Sequence, residues 1–281
     1  MVNEQKTEFW SGTGGEYWVA NQQQMDTMLS PLGDKALGKI DLARVTRLLD
    51  VGCGTGTTTL DIAALLSSDG RATGADLSVP MTVYARERAA DQGASNVDFM
   101  QCDIQTDPFE AQSFDAAFSR FGVMFFDDPI LGLSHIHKAL KPASPFAFVC
   151  WQAPSHNLWH SLAIKIARKY IDIPAPPSPQ APGPFAFADR DYLVSIIEAA
   201  GFSDIEIEPH EQEIELFAGM DIPTAAQNYA RINPTIAAFL GDAEAADVAA
   251  LIDDLAENLA PFHDGHGLRL PSATWIVSAK S

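Results

Sequence analysis

The turn Asp50-Val51-Gly52-Cys53-Gly54-Thr55-Gly56 constrains this chain more than any other feature. Three glycines at alternate positions let a backbone pass close to a ligand where any Cβ would clash, and they aim the following helix N-terminus at a negative group. The flanking residues fit that arrangement. Thr46 to Val51 is a β-branched, leucine-rich run, and Thr57 to Leu66 follows with helical spacing of apolar residues. Strand, tight turn and helix in succession call for a layered α/β architecture.

Downstream, the same alternation recurs. Strands are expected at Arg71–Asp76, Val97–Cys102, Phe114–Ser119 and Pro145–Trp151, with helices at Val79–Ala90 and Asp128–Leu140, the latter halted before Pro142. This spacing predicts right-handed crossovers and a parallel sheet. After Trp151 come a helix at Leu158–Ile171, a loop at Pro174–Pro184 carrying six prolines, and a helix at Asp189–Ala200 closed by Gly201. Ile205–Phe217 alternates as a strand or two, Ala225–Leu259 is alanine-rich and helical, and Leu268–Ala279 is a final strand placed to lie antiparallel. With 281 residues, 47% of them hydrophobic, one sizeable domain can be filled. We read 1–281 as a single domain: a helical cover at 1–30, a core at 46–151, a lid with the proline-rich loop at 152–188, and a helical insertion at 219–266.

Asp76 ends the second strand about 20 residues after the glycines, where a carboxylate can accept both hydroxyls of a ribose. Asp103 closes the third strand in the same way, placed to receive the amino group of an adenine. Aspartates also end strands by capping a turn, but Asp50, Asp76 and Asp103 at three successive strand ends point to one crevice. A nicotinamide dehydrogenase would use similar parts. Its fingerprint is G-x-G-x-x-G, whereas this turn reads G-x-G-x-G behind an aspartate.

These segments together resemble the class I S-adenosylmethionine-dependent methyltransferases, in particular the small-molecule branch of ubiquinone and menaquinone biosynthesis. Leu48 to Gly56 matches the first motif, and Ala75-Asp76-Leu77-Ser78 with Met81 is similar to the second. Gln101-Cys102-Asp103-Ile104 resembles the third, and Phe114-Asp115 with Ser119 to Phe126 the segment beside the methionine moiety. One departure stands out: after Leu140-Lys141-Pro142 the family places two glycines, and this chain has Ala143-Ser144. The resemblance implies a Rossmann-like fold, with a mostly parallel seven-stranded sheet, helices on both faces and a terminal antiparallel strand pair. It implies S-adenosylmethionine as cofactor and S-adenosylhomocysteine as product. By it, Asp50 holds the methionine amino group, and Gly52, Cys53, Gly54 and Gly56 line the tail. Asp76 binds ribose, Leu77, Met81 and Ile104 sandwich adenine, Asp103 binds its amino group, and Cys102 is a further cofactor-site candidate. Ser119 offers a backbone carbonyl, Arg120 meets the methionine carboxylate or a nearby acid, and Trp18 lies near the cofactor. Leu77 and Met81 suit the core equally well, Trp18 could simply pack on the sheet, and Arg120 could be a surface ion pair.

On the acceptor side, aromatic faces attract a methylsulfonium and pack on flat molecules. Trp10, Tyr17, Phe121, Phe125, Phe126, Trp151, Phe185 and Phe187 are the candidates. His156 and His160, four apart on one expected helix near Trp151 and so able to share a face toward the pocket, are the readable base candidates, with a surface role as the default. Asn157 replaces the glutamate of a zinc helix motif and no third ligand can be named, so no metal is expected. A net charge of -19 disfavours nucleic acid and anionic membranes as partners. A polar start, no membrane-length apolar run and three scattered cysteines read as a cytoplasmic protein, and the resemblance implies a small, partly apolar metabolite as acceptor. Two other classes stay open: the NAD-dependent oxidoreductase, and a protein of this fold that binds the cofactor without methyl transfer, as a cyclase or regulator.

Overall fold

The computed structural model describes residues 4–107, 109–174, 178–232, 236–237, 240–241 and 243–281. The start of the 1–30 cover, residues 175–177 of the proline-rich loop, and 233–235, 238–239 and 242 of the 219–266 insertion lie outside the described residues. The chain opens with three helices, α1 (Glu4–Ser11), α2 (Thr13–Ala20) and α3 (Gln22–Leu37). Then follow β1 (Arg47–Val51), α4 (Thr57–Leu65), β2 (Arg71–Asp76), α5 (Val79–Asp91), β3 (Val97–Gln101), β4 (Ala116–Arg120), α6 (Pro129–Ala139) and β5 (Pro145–Trp151). The remainder holds α7 (Leu158–Ala167), α8 (Arg190–Ala199), β6 (Ser203–Leu216), α9 (Ile222–Ile232), α10 (Ala245–Leu259) and β7 (Leu268–Lys280).

Among the described residues the seven strands form one sheet in the order β3-β2-β1-β4-β5-β7-β6. The first five run parallel, and β7 is antiparallel to β5 from Pro145↔Lys280 to Trp151↔Thr274. This is the expected Rossmann-like methyltransferase fold. The chain starts mid-sheet at β1, winds to the β3 edge and returns to β4. The order therefore reverses between β1 and β4, and the crevice for a ligand opens beyond their carboxyl ends.

Local chemistry sets the element ends. Ser78 caps α5 by accepting from the Met81 N–H, with Pro80 in the first turn, and Asp128 caps α6 by accepting from the Leu131 N–H at 2.9 Å beside Pro129. In the strands, burial supplies the drive: Phe118, Phe146 and Phe148 are fully buried, each contributing about 2 kcal/mol. The turn before β5 keeps its shape without the family's glycines. Ala143 adopts φ +59° there, and its N–H donates to the Ser281 carbonyl at 2.9 Å.

The chain divides into two units. The first comprises Met1–Trp151, Gln180–Pro209 and Thr274–Ser281 and contains β1 to β5 whole. The second comprises Gln152–Pro179 and His210–Ala273. In it α10 packs against α7 and α9, the Tyr229 ring is buried with its hydroxyl donating to the Leu158 carbonyl, and Lys169 pairs with Asp254 at 2.7 Å.

Two expectations change here. His156 and His160 do not share a helix: His156 is exposed in a short 3₁₀ turn at Pro154–His156, and His160 is half-buried in α7. Asn157 is the reason. Its amide donates to the carbonyls of Gln152, Ala153 and Ala273, and its oxygen accepts from the Ala273 N–H, so the chain is pinned between the two histidines. The helix expected to reach Ile171 ends at Ala167, and the Ile205–Phe217 run forms a single strand, β6, that ends at Leu216.

Candidate functional site

All of the glycine turn and its surroundings belong to the first unit. Gly52, Gly54 and Gly56 have φ values of +69°, +55° and +82°, a left-handed region that side chains with a Cβ resist. Packing adds a second demand at two of them. A Cβ on Gly52 would stand 2.8 Å from the Gly122 Cα, and one on Gly56 would stand 2.7 Å from the Ala85 Cβ. Only Gly54 has room, its nearest neighbour being the Met81 sulfur at 3.7 Å. Close approach at Gly52 and Gly56 is thus to the protein itself, which presses the turn against the end of β4 on one side and α5 on the other.

Two carboxylates are built into this turn. Asp76, at the end of β2, accepts from the Gly54 N–H and the Ser78 N–H, each at 2.8 Å, and so ties the glycine turn to the start of α5. Burial raises its pKa while those backbone donors pull it down. Asp50 is 1% exposed in β1. Its Oδ2 accepts from the Thr59 hydroxyl at 2.7 Å, and its Oδ1 is buried with no hydrogen-bond partner. Burial pushes the Asp50 carboxyl up to about 6. A buried carboxylate oxygen without a donor is costly, and a cationic donor would relieve it. Asp103 accepts from the Gln105 N–H at 3.0 Å in the turn after β3.

The other expected residues fall around these. Met81, Ile104, Cys53 and Cys102 are buried, Leu77 is half-buried, and burial raises both thiols, Cys102 to about 11. The Ser119 hydroxyl donates to the Val51 carbonyl at 2.8 Å and accepts from the Gly122 N–H. Arg120 pairs with Asp26 at 2.7 Å, a buried contact with α3 rather than a surface one. Trp10 meets Phe125 edge to face at 5.3 Å, while Tyr17 and Trp18 are half-buried in α2. Phe121 takes φ +58° and stacks on Trp151 at 4.4 Å, both rings buried. Phe187 is core, Phe185 and Phe126 are half-buried, and the two histidines lie in the second unit.

Sequence reasoning passed over Ser78, Thr59 and Asp26. Ser78 is fully buried and donates to the Trp10 carbonyl at 2.6 Å, fastening the N-terminal helices beside Asp76. Its signal was present in the Ser-x-Pro start of a helix. Nothing local marks Asp26.

Residues 48–143 match the methyltransferase domain family. This segment is a class I S-adenosylmethionine-dependent methyltransferase domain. The chain is 33% identical over 113 residues to the ubiquinone/menaquinone biosynthesis C-methyltransferase of Cellvibrio japonicus, spanning 40% of this chain and 45% of that protein. The chain thus spans about half the length of that relative. Demethylmenaquinone methyltransferase of Porphyromonas gingivalis is 26% identical over 211 residues, covering 72% of this chain and 86% of that one. Among solved structures the cyclase SpnF shares the fold, with a TM-score of 0.57 at 20% identity and 96% of each chain covered. The cofactor of the methyltransferase domain is S-adenosylmethionine, and the residues present fit it. The orphaned Asp50 oxygen suits an ammonium group, and the spare lone pairs of Asp76 suit hydroxyls.

Proposed function

We propose that the whole protein transfers a methyl group from S-adenosylmethionine to a small, partly apolar acceptor and releases S-adenosylhomocysteine. One observation carries the reading: the buried, unpartnered Asp50 Oδ1 beside a glycine turn that Asp76 holds in place. Asp50 would hold the methionine amino group, Asp76 the ribose hydroxyls, and Met81, Leu77 and Ile104 the adenine. When bound, the cofactor supplies an activated methyl on a sulfonium, so the protein has mainly to align the acceptor and exclude water.

Support for an apolar acceptor comes from the same end of the sheet. Trp10 and Phe125 present aromatic edges there, and Phe9, Val79, Val83, Ile130 and Leu131 are exposed large hydrophobics on α1 and on the first turns of α5 and α6. Two of the relatives named above are, by their names, a ubiquinone/menaquinone biosynthesis C-methyltransferase and a demethylmenaquinone methyltransferase, which agrees with such an acceptor. Burial holds His160 down to about 4, so it is neutral but a weak proton acceptor at neutral pH. Acceptor positioning therefore ranks above a histidine base in this proposal.

The fold also serves a cyclase, so fold alone does not carry the reaction. Two measurements separate the readings. Thermal-shift assays should show stabilisation by S-adenosylhomocysteine and none by NAD. Incubation of the protein with methyl-labelled cofactor and a fractionated metabolite extract should place the label in an organic-soluble fraction; label in polar fractions only would overturn the apolar acceptor.

A further inference from the structure

A single carboxylate on α3 gathers three segments of the first unit. Asp26 Oδ1 accepts from Arg120 Nη2 at 2.7 Å, and Oδ2 accepts from the Thr57 hydroxyl at 2.6 Å and from the Gln22 amide one turn earlier. The Arg120 and Asp26 side chains are only 10% and 14% exposed. Arg120 also donates to the Ser30 hydroxyl at 2.9 Å, and its stem lies over Gly33, where a Cβ would come within 2.8 Å. Thr57 in turn accepts from Arg88 Nη1 at 2.6 Å, and the same nitrogen donates to the Thr55 carbonyl.

The placement of these partners matters more than their number. Thr57 is the first residue of α4, directly after Gly56. Arg120 is the last residue of β4, two residues before the Gly122 Cα that abuts Gly52. One side chain thus joins the N-terminal helices to both ends of the glycine turn. Without that charge the Arg120 guanidinium, its side chain only 10% exposed, would lose its ion pair with Asp26 and keep the Ser30 hydroxyl, which costs more than a lost surface pair.

We propose that Asp26 is a positioning residue of the cofactor site, a latch that holds α3 against the glycine turn and uses Arg120 as its cation. This rests on the methyltransferase reading above, and it makes the acid met by Arg120 a residue of the protein. Loss of the latch loosens the turn that grips the cofactor and leaves the transfer step, which Asp26 does not touch, nearly as fast once the cofactor is saturating.

Calorimetric titration with S-adenosylhomocysteine tests this without turnover. Asp26→Asn should weaken binding by about tenfold, a loss of the size expected when a charged hydrogen-bond acceptor is removed. Hydrogen exchange should quicken across 13–37 while β1 and β4 stay protected. In turnover assays KM for the cofactor should rise with kcat within about twofold, a split that general destabilisation would not produce. Asp26→Glu should recover part of the affinity. Should Asp26→Asn fail to fold, Thr57→Val removes one arm of the latch and should weaken binding about threefold. Wild-type affinity in the folded Asp26 variant, or in Thr57→Val where that substitutes, overturns the latch alone. No binding by the wild type overturns the reading beneath it.

Discussion

Asp50 has the most exacting place among the residues of the site. It lies inside the sheet with one oxygen satisfied by Thr59 and one satisfied by nothing, and burial has moved its pKa up to about 6. In the free protein this is a stability term of definite sign. A carboxyl with a raised folded pKa contributes its stability fully below the unfolded value near about 4, and that contribution is lost as pH rises through about 6. Ligand affinity has the opposite slope, because the ammonium group is attracted only by the ionised form. Affinity for S-adenosylhomocysteine should be flat above pH 6 and fall as pH drops below it, by up to about tenfold per unit. Titrations from pH 5 to 8 would show this, and Asp50→Asn should bind weakly with no such slope. Ala143 gives a second residue-scale test. Its φ of +59° is a conformation that a Cβ penalises, so Ala143→Gly should raise stability by about 1 kcal/mol in denaturant unfolding. Equal or lower stability would mean that the turn carries no such strain.

Among the elements, the strands and the helices between them were legible because their signals are local. β2 and β5 have the expected bounds, Arg71–Asp76 and Pro145–Trp151: β5 is apolar throughout, and β2 is a short run of mostly small residues that ends at its aspartate. The glycine turn was legible for the same reason. What escaped were contacts made over long sequence separation. Arg120 reads as a cation for the methionine carboxylate, a nearby acid or a surface ion pair, and its partner Asp26 lies 94 residues away in a helix with no capping or periodic mark for it. Asn157 misled in a different way: a helix spacing for the two histidines was plausible until its side chain was seen to hold three carbonyls. The N-terminal cover shows how such contacts fix an element. Gly15 in α2 sits so close to α5 that a Cβ would stand 2.5 Å from the Ser78 hydroxyl and 2.7 Å from Pro80. Gly15→Leu should therefore lift α2 off α5. Proteolysis in the 13–37 region should quicken and cofactor affinity should drop, with the parallel strands still protected from exchange; unchanged proteolysis would show that the helix pair can absorb the bulk.

At the scale of the whole molecule, the order β3-β2-β1-β4-β5-β7-β6 places the reversal beside the glycine turn, and the carboxylates, the latch and the aromatic edges gather around that end of the first unit. Among the described residues no helix is long and apolar enough to cross a membrane. In the proposed function an apolar acceptor would meet Trp10 and Phe125, which pack edge to face at 5.3 Å, and the exposed hydrophobic residues of α1, α5 and α6. In the proposed function the site consumes its cofactor with each transfer. The most direct test follows both partners in one reaction, quantifying S-adenosylhomocysteine released and acceptor consumed once an acceptor has been isolated. Under that function equal amounts of each are expected, with a methyl group in place of a hydrogen on the product. An acceptor converted while S-adenosylmethionine is recovered intact would contradict it and would assign the fold to chemistry of the cyclase kind.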